Sequence, residues 1–491
     1  MDTFIISLIT FGYLVLVLIV GLKAKQSESS SLEGYVAGGR HMGLIILFFI
    51  MGAEVFSAFA FLGAPGWAYS KGAPSFYILA YLTLGIGVWW LLGPKVARLG
   101  RRFGYLTQAD LLVDRFPSRP LGILIGIISV LALIPYLTIQ IAGAGLLFQA
   151  ATDGAIPFWL GSLLAFVVVT LYVYTSGLNG IGWTNLMQGI MMVVVAWVLG
   201  LVVAHELFGG VGAMFTRLAR EAPEYLTLPG AQGMGWGAFS TAILVSAFGA
   251  IMWPHLFMKF YTAKSERTLK QVFMLSPLYA YLLVPLLIIG FAGILLLRDT
   301  PLDRPDEVLL RVVIDIANFP AWLIGIMLSG ALAAAMSTGA NLAHTAATVA
   351  VRDVLRPTVM GHSSDAMMVT MTKRCVIVIS LVAYIVALFN PASLVMLLLG
   401  AYGIIVQLLP LIIGALFWRK ATTAGAYAGL VLGSLVMLLF QFGMASPFGW
   451  HAGFWGLLVN IVAFVGVSLA TYDARRQTRD FVNEGEAPLT S

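Results

Sequence analysis

Long apolar stretches, each followed by a short polar connection, run along almost the whole chain. Because about 20 mostly apolar residues cross the hydrocarbon core of a bilayer as a helix, this pattern predicts thirteen transmembrane spans. The spans are predicted at 3–22, 44–67, 74–94, 121–149, 156–176, 182–204, 237–260, 270–297, 320–350, 367–389, 392–418, 423–443 and 452–471. Two longer connections, at about 205–236 and 298–318, mix acidic and basic residues and are predicted to hold short surface helices. The chain is therefore expected to be an all-α polytopic membrane protein.

Composition agrees with this prediction, since 60% of the 491 residues are hydrophobic and only 10% are charged. A soluble domain carries about 25% charged residues. The one cysteine, Cys375, excludes a disulfide framework and a cysteine-based metal cluster, and is expected to be a small buried apolar side chain. The opening MDTFIISLIT has no basic segment and no small-residue cleavage site, so we expect a retained first helix rather than a signal peptide.

The basic residues predict an orientation. With the N-terminus outside, thirteen alternating spans place 22 of the 28 Lys and Arg residues on the cytoplasmic side, as the positive-inside rule requires. The net charge of +6 then reflects topology and not a nucleic-acid partner. The tail at 473–491 is expected to be cytoplasmic and too short for a signalling domain.

Two spans are interrupted in matching ways. The second contains GAPG at 63–66, and the seventh contains SAFGAIMWPH at 246–255. Five crossings separate them, so they run in opposite directions, and paired interrupted helices of this kind mark the central site of a transporter. Such breaks free backbone carbonyls and amides, which is tolerated at that depth only where they line a cavity or bind something. Glu54 lies near the first break, where a charge facing lipid would cost about 2.5–3.5 kcal/mol.

Several motifs give the chain a specific resemblance. They are YVAGGRHMG (35–43), SAFAFLGAPGWAYSKG (57–72), GIGWTNLMQG (180–189), LAAAMST (332–338) and, more weakly, WPHLFMKF (253–260). With these motifs the chain resembles the sodium/solute symporters, a family that includes transporters of proline, pantothenate, sialic acid, sugars and monocarboxylates. The resemblance implies a LeuT-type fold of two inverted five-helix repeats, at about 44–204 and 237–418. Helices 3–22, 423–443 and 452–471 would flank the repeats in a single transport domain over 1–472.

Adjacent hydroxyls at Ser337 and Thr338 suit a hard cation such as sodium, which prefers oxygen ligands. The resemblance implies one sodium site between the second and ninth spans. Its ligands would be the carbonyls of Ala53, Phe56 and Ala334 and the hydroxyls of Ser337 and Thr338.

A second sodium site is not expected. Some family members bind a second sodium through the aspartate of a WTD motif, which reads WTN here with Asn185. Ala340 and Asn341 also stand where those members have hydroxyls. We therefore expect one coupled sodium ion, and no other cofactor.

The solute is expected beside this ion, near the middle of the bilayer. The candidate lining residues are Glu54, Ser57 and Phe59 in the second span, Tyr136 and Gln140 in the fourth, Ser246 and Trp253 in the seventh, and Tyr402 and Gln407 in the eleventh. The polar residues other than Glu54 could instead form hydrogen bonds between helices without binding a ligand. The aromatic residues could instead serve ordinary helix packing. Both alternatives stay open.

For Glu54 the alternatives are capping the break, orienting the solute, tuning sodium affinity and carrying a proton. His255 and His344 are interpreted as structural. Lys259 is expected to extend to the cytoplasmic face. No buried Lys or Arg is therefore expected in the solute cavity. The positive field that favours an anionic solute would come from the backbone amides at the ends of the broken helices.

The function expected is sodium-driven uptake of a small organic solute by alternating access, in the cytoplasmic (inner) membrane of a bacterium. GAEVFSAFAF (52–61) and IPYLTIQIAG (134–143) resemble the monocarboxylate branch, which implies a small organic acid. Pantothenate and proline are the alternatives, and a sensor that needs a separate signalling partner, or a channel, is more distant. No catalytic motif is present, so an enzyme is not expected. The partners expected are the solute and the bilayer, with no nucleic acid and no obligate protein.

Overall fold

A computed structural model describes residues 2–24, 32–40, 42–230, 233–389, 394–473 and 481–484, without the side chains of residues 39, 53, 54, 483 and 484. Its helices are α1 (Asp2–Lys23), α2 (Leu32–Ala37), α3 (Leu44–Val55), α4 (Ala64–Lys71), α5 (Tyr77–Phe103), α6 (Gln108–Arg115), α7 (Arg119–Ala151), α8 (Phe158–Phe208), α9 (Val211–Glu221), α10 (Trp236–Ala250), α11 (Pro254–Phe257), α12 (Glu266–Leu275), α13 (Pro277–Leu296), α14 (Val308–Leu310), α15 (Ala321–Val349), α16 (Asp365–Leu388), α17 (Leu394–Ile405), α18 (Leu409–Phe417), α19 (Thr423–Leu438), α20 (Ala452–Thr471) and α21 (Phe481–Glu484).

Shorter turns extend or join these helices. The π-helical turns are Phe59–Gly63, Arg311–Ile316, Ala350–Met360 and Leu439–Gly443. The 3-10 turns are Gly38–Arg40, Ala73–Phe76, Pro223–Leu226, Met258–Tyr261, Pro305–Glu307, Val406–Leu408 and Pro447–Gly449. An isolated parallel bridge joins Met42 to Ala263.

The described residues contain ten helices that are long and apolar enough to cross a membrane, or eleven if the bent pair at 236–261 is counted as one span. The prediction of an almost entirely helical polytopic membrane protein is therefore confirmed. The count of thirteen is not confirmed by length and composition. The short surface helix predicted in the first longer connection is present, as α9, whereas the second connection forms the short turns around α14, whose residues are buried. Cys375 is half-buried and not fully buried as expected.

The fifth and sixth predicted spans together form α8, in which two helices are joined at a kink. Gly177, within α8, has φ 54° and ψ −144°, which only glycine adopts readily. A Cβ atom at this position would lie 2.6 Å from the ring of Tyr35. The kink at Gly177 lies near the predicted boundary between the fifth and sixth spans, and the chain is helical on both sides of it.

The second predicted span is broken, but not at the GAPG motif. Helix α3 ends at Val55, Phe56 is extended (φ −87°, ψ 97°), and the π-helical turn Phe59–Gly63 leads into α4. Pro65 fits in the first turn of α4, where a backbone N–H needs no helical acceptor. The prediction that GAPG interrupts the helix is therefore wrong, and the interruption lies several residues earlier, at 56–57.

The seventh predicted span breaks where expected. Helix α10 ends at Ala250, Trp253 is extended (φ −56°, ψ 122°), and Pro254 begins α11. The axes on the two sides of the break differ by 42°. Helix α15, buried along nearly its whole length, packs against α1, α7 and α8. Its many Ala and Gly residues permit this close approach.

Candidate functional site

The break after α3 faces the middle of α15. The hydroxyl of Thr338 donates a hydrogen bond to the carbonyl of Phe56 across a distance of 3.2 Å. One residue earlier, the hydroxyl of Ser337 donates to the carbonyl of Ala334 at 3.1 Å. All four residues are buried. Of the five residues predicted to hold sodium, Phe56 and Thr338 are therefore in direct contact, and Ala334 and Ser337 lie within about one turn of Thr338 on α15. The fifth, Ala53, lies in α3, and its surroundings are outside the described part of the chain.

The extended conformation of Phe56 explains why its carbonyl is available. In a continuous helix this oxygen would accept from the N–H of Ala60, but that N–H bonds to Ser57 instead, at 2.9 Å. The Phe56 carbonyl then accepts from Thr338 on the neighbouring helix. A hydroxyl oxygen has lone pairs as well as a proton, so rotation of the Thr338 hydroxyl would turn an acceptor toward a cation.

Gln140 supports the same break from α7. Its Oε1 accepts a hydrogen bond from the N–H of Ala58 at 2.9 Å, and its Nε2 donates to the carbonyl of Tyr136 at 3.2 Å. Gly143 lies one turn on, where a Cβ atom would be 2.4 Å from the Cβ of Ala58. Gln140, predicted to line the solute site, thus uses both ends of its amide to hold the broken turn against α7.

Three predicted solute residues meet in one group of rings. The Trp253 ring lies 5.1 Å from Tyr136 and 5.4 Å from Tyr402, measured between centroids. Tyr81 lies 5.6 Å from Tyr402, and His255 lies 5.6 Å from Trp253. We call Tyr81, Tyr136, Trp253, His255 and Tyr402 the aromatic cluster. Tyr81 was missed by sequence reasoning, although it follows Tyr77 by one helical turn on a largely apolar span.

The other predicted solute residues are placed less uniformly. Ser57 and Ser246 are fully buried, and neither hydroxyl has a hydrogen-bond partner within the described part of the chain. Phe59 is buried in the π-helical turn. Gln407 points away from the aromatic cluster, since its Nε2 donates to the carbonyl of Gly453 at 3.2 Å. The side chain of Glu54 lies outside the described part of the chain.

The candidate site is closed in this conformation. Tyr402 and Tyr136, with 7% and 6% of their surface exposed, are the most exposed of the described candidate residues. A ligand would therefore reach the candidate site only when helices on one side or the other move.

Lys259 does not extend to the surface as expected. Only 2% of its surface is exposed, on the turn that follows α11 and one helical turn beyond His255. The prediction that Lys259 reaches the cytoplasmic face is wrong, because its side chain is buried inside the protein. The Nε2–H of His344 donates a hydrogen bond to the carbonyl of Tyr35, at 3.0 Å, which agrees with a structural role.

Asn185 is the last residue of the WTN motif and lies in α8. It is fully buried, and neither atom of its amide group has a hydrogen-bond partner in the described residues. Asn341, on α15, donates to the carbonyl of Ser337 at 3.4 Å. Both side chains are neutral, so neither supplies the negative charge that would offset a second cation.

The connection between α13 and α15 ties two elements of the site together. Asp306 is 8% exposed, and its Oδ2 accepts a hydrogen bond from the N–H of Leu394, the first residue of α17, at 3.0 Å. A Cβ atom on Gly66 would lie 2.9 Å from the nitrogen of Asp306 and the carbonyl oxygen of Pro305. The glycine of the GAPG motif therefore allows this connection to lie directly on α4.

We expect transport to slow as the solution that bathes this connection becomes more acidic. Burial raises the pKa of Asp306, and the hydrogen bond from the N–H of Leu394 offsets part of that rise. When the connection opens to water, the pKa returns toward the ordinary value of about 3.9. Proton binding therefore stabilises the docked connection below the raised pKa, and this stabilisation is lost as pH rises through it.

Initial uptake rates measured over a range of external pH check this expectation. Asp306→Asn keeps an acceptor for Leu394 but cannot titrate, so its rate is expected to vary less with pH than that of the unmodified protein. Asp303→Asn changes an exposed acid of the same connection and is the matched control. Equal pH profiles for all three proteins would contradict the role given to Asp306.

Comparison with known proteins identifies the family. A sequence model of the sodium:solute symporter family matches residues 35–433. The chain belongs to this family. Its symporter relatives include the uncharacterized symporter YhjB of Bacillus subtilis, which is 32% identical and aligns over 96% of this chain and 98% of its own length. The sodium/pantothenate symporter of Escherichia coli is 29% identical, over 92% of this chain and 94% of its own length.

Two further symporter comparisons extend this result. A monocarboxylate transport permease of Rhizobium johnstonii is 25% identical, over 90% of this chain and 88% of its own length. A substrate-bound, outward-open Na⁺-coupled sialic acid symporter shares the fold with a TM-score of 0.83 at 17% identity, covering 96% of this chain and 99% of that one. The symporter fold is thus the LeuT type, as the sequence motifs implied. The chain is an integral membrane transporter of the sodium:solute symporter family.

Proposed function

We propose that this protein is a sodium-coupled symporter that imports a small organic solute by alternating access, with a monocarboxylate as the preferred solute. The observation that carries the proposal is the bond between Thr338 and the freed carbonyl of Phe56. It joins the broken helix to α15 through oxygen atoms that a sodium ion can take over. Family membership supports sodium as the coupling ion.

The proposed sodium ligands are the carbonyls of Ala53, Phe56 and Ala334 and the hydroxyls of Ser337 and Thr338. All five are neutral oxygens, which suits an ion that must be released on the other side of the membrane. The oxygens of Phe56 and Thr338 belong to two elements that separate when the site opens. Sodium binding would therefore favour the conformation in which these elements are together.

The aromatic cluster, with Ser57 and Ser246, is the proposed solute site. Its rings offer an apolar surface, and the two unpartnered hydroxyls offer hydrogen bonds to a small polar group. Lys259 is buried one helical turn beyond His255, which places a basic side chain near the aromatic cluster and is compatible with an anionic solute. Pantothenate and proline remain the alternative solutes, since symporters of both are relatives. Glu54 stays a candidate for orienting the solute.

We further propose thirteen spans, with the N-terminus outside and one transport domain over 1–472. Dividing α8 at Gly177 and counting the broken segment 44–71 as one span raises the eleven candidate spans to thirteen. The inverted repeats would then comprise spans two to six and seven to eleven. The distribution of Lys and Arg supports this orientation.

Uptake into proteoliposomes tests the proposed function. The purified protein is reconstituted and given an inward sodium gradient with radiolabelled lactate, pyruvate, acetate, pantothenate or proline. We expect accumulation of a monocarboxylate that requires the gradient and stops when sodium is replaced by choline. Equal uptake in choline would contradict sodium coupling, and uptake of proline alone would contradict the proposed solute class.

We expect a single sodium ion to be coupled to each solute. Initial uptake rates plotted against sodium concentration should give a Hill coefficient near one, because Asn185 and Asn341 supply no negative charge for a second ion. Asn185→Ala is expected to leave the half-saturating sodium concentration unchanged. A Hill coefficient near two, or a large loss of sodium affinity in this variant, would show a second site.

Lys259→Met is expected to raise the KM for the carboxylate about fivefold, the effect of ~1 kcal/mol in binding, with little change in kcat. Methionine keeps an apolar chain of similar length and removes the charge. Lys264→Met, at an exposed position of the same segment, is the control. An unchanged KM in Lys259→Met would show that Lys259 does not contribute to binding of an anionic solute.

A further inference from the structure

A cavity of about 700 Å³ lies where α18 ends, at the end of the helix bundle that carries many basic residues. It is lined by Phe417, Trp418, Arg419, Lys420, Val465, Leu469 and Val482. Its walls are of two kinds. Phe417, Val465 and Leu469 give an apolar surface that is 43%, 38% and 55% exposed, and Arg419 and Lys420 give two exposed cations. The proposed solute and sodium sites share no residue with this cavity, which we call the basic cavity.

The basic rim of the cavity is held in place from inside the protein. The guanidinium of Arg115 donates to the carbonyls of Trp418, Arg419 and Ala421, at 3.3, 3.2 and 3.1 Å. Arg115 itself is buried, with 4% of its surface exposed. The backbone between α18 and α19 is therefore held by charge-assisted hydrogen bonds from one nitrogen of Arg115, whose two hydrogens are shared among the three carbonyls. A rim fixed in this way loses little entropy when it binds a ligand.

The opposite wall of the cavity is built by the chain segment near the C-terminus. Phe481 is fully buried, with its ring 6.3 Å from that of Phe103 and 6.4 Å from that of Tyr105. The next residue, Val482, accepts a hydrogen bond from Lys95 at 3.2 Å and lines the cavity. Helix α21 is thus seated against the end of α5 and contributes Val482 to the cavity wall.

The charges around the cavity favour an anion. Lys95, Arg115, Arg419 and Lys420 contribute four positive charges. In the adjoining sequence 473–484, the three acidic residues Asp473, Asp480 and Glu484 are matched by Arg475, Arg476 and Arg479. The Nζ atom of Lys95 lies 4.7 Å from the centre of the Phe417 ring, at the boundary of the apolar wall. Basic pockets between membrane helices that continue into an exposed apolar surface bind phospholipid headgroups, with acyl chains on the apolar side.

We propose that the basic cavity binds one anionic phospholipid. Its phosphate lies between Arg419 and Lys420, its acyl chains lie on Val465 and Leu469, and its headgroup contacts Val482. The guanidinium of Arg419 donates two hydrogen bonds to phosphate oxygens in parallel, while the Lys420 ammonium acts as a point charge. Because Val482 forms part of the wall, the bound lipid also stabilises α21 against α5.

Lipid titration of the purified full-length protein tests this site. The delipidated protein is titrated with phosphatidylglycerol or phosphatidylcholine in mixed micelles, and bound lipid is counted by native mass spectrometry. We expect one tightly bound phosphatidylglycerol and no corresponding phosphatidylcholine. The double variant Arg419→Gln/Lys420→Gln is expected to bind phosphatidylglycerol about 30-fold more weakly, at about a fivefold loss per removed charge.

The matched control removes two charges from the same end of the bundle. Arg267→Gln/Arg356→Gln changes two exposed basic residues that do not line the cavity, and it is expected to bind phosphatidylglycerol as the unmodified protein does. An equal loss of binding in both double variants would show a diffuse charge effect and would overturn the site. Displacement of the lipid by millimolar inorganic phosphate would overturn the choice of a lipid as the occupant.

Leu469→Trp provides a second test that leaves both cations in place. A larger ring on the apolar wall fills space that the acyl chains would use, so phosphatidylglycerol binding is expected to fall while the fold is kept. If Arg419→Gln/Lys420→Gln does not fold, Leu469→Trp still tests whether the basic cavity binds phosphatidylglycerol. Unchanged lipid binding in Leu469→Trp would overturn the proposed seat of the acyl chains.

Discussion

Replacing Thr338 by alanine is expected to raise the sodium concentration for half-maximal uptake at least tenfold and to leave the protein folded. The hydroxyl of Thr338 bonds the freed carbonyl of Phe56 at 3.2 Å, so it lies where a cation between α3 and α15 would be held. Losing one partner from a buried polar contact costs about 1–3 kcal/mol. Since about 1.4 kcal/mol corresponds to a tenfold change in affinity, the loss is large enough to measure directly.

Uptake rates over a range of sodium concentrations, at saturating solute, measure this effect. Thr338→Ser keeps the hydroxyl and is expected to restore most of the sodium affinity. Thr345→Ala removes a buried hydroxyl two turns further along the same helix and controls for the loss of a threonine from α15. If Thr338→Ala kept the affinity of the unmodified protein, the proposed sodium site would be wrong.

Gly66→Ala is expected to reduce uptake at least tenfold without abolishing sodium binding. An added Cβ atom would lie 2.9 Å from backbone atoms of Pro305 and Asp306, which real Cβ atoms do not approach so closely. Backbone atoms cannot rotate aside as a flexible side chain does, so the connection between α13 and α15 would have to lift from α4. Overpacking of this kind costs about 1–3 kcal/mol, and here the cost falls on the closed conformation alone.

The measurement compares uptake with sodium-dependent protection against thermal unfolding. We expect Gly66→Ala to keep the protection, since the glycine is separate from the proposed ligands, and to lose the uptake. Gly87→Ala is the control, because no atom lies within 4 Å of where its Cβ would be. Normal uptake by Gly66→Ala would show that this connection need not dock during transport.

The apolar pattern predicted most of the architecture, because span length and composition are set by the bilayer itself. The break of the seventh span was also predictable, since Pro254 cannot donate a backbone hydrogen bond and so marks where α11 begins. The same reasoning misplaced the break of the second span. Proline at the first turn of α4 starts a helix as readily as it ends one, and the freed carbonyl lies upstream at Phe56.

The candidate site was predictable only where motifs named its residues. Ser337 and Thr338 were found because two adjacent hydroxyls stand out in a run of small apolar residues. By contrast, Gln407 and Gln140 look alike in the sequence, since each is a glutamine in an apolar span. In the structure Gln407 donates a hydrogen bond to the carbonyl of Gly453, whereas Gln140 accepts one from the N–H of Ala58. Which neighbour a buried amide meets depends on helix rotation, which a sequence of uniformly apolar spans leaves undetermined.

The neutral side chain of Asn185 has a consequence for the energy available to the cell. If one sodium ion enters with one monocarboxylate, the two charges cancel and the transport cycle moves no net charge across the membrane. The membrane potential, worth about 2.3 kcal/mol per charge per 100 mV, then adds nothing to accumulation. The highest solute ratio such a cycle can sustain equals the sodium concentration ratio. An aspartate at this position, with a second sodium, would make the same uptake electrogenic and far more concentrating.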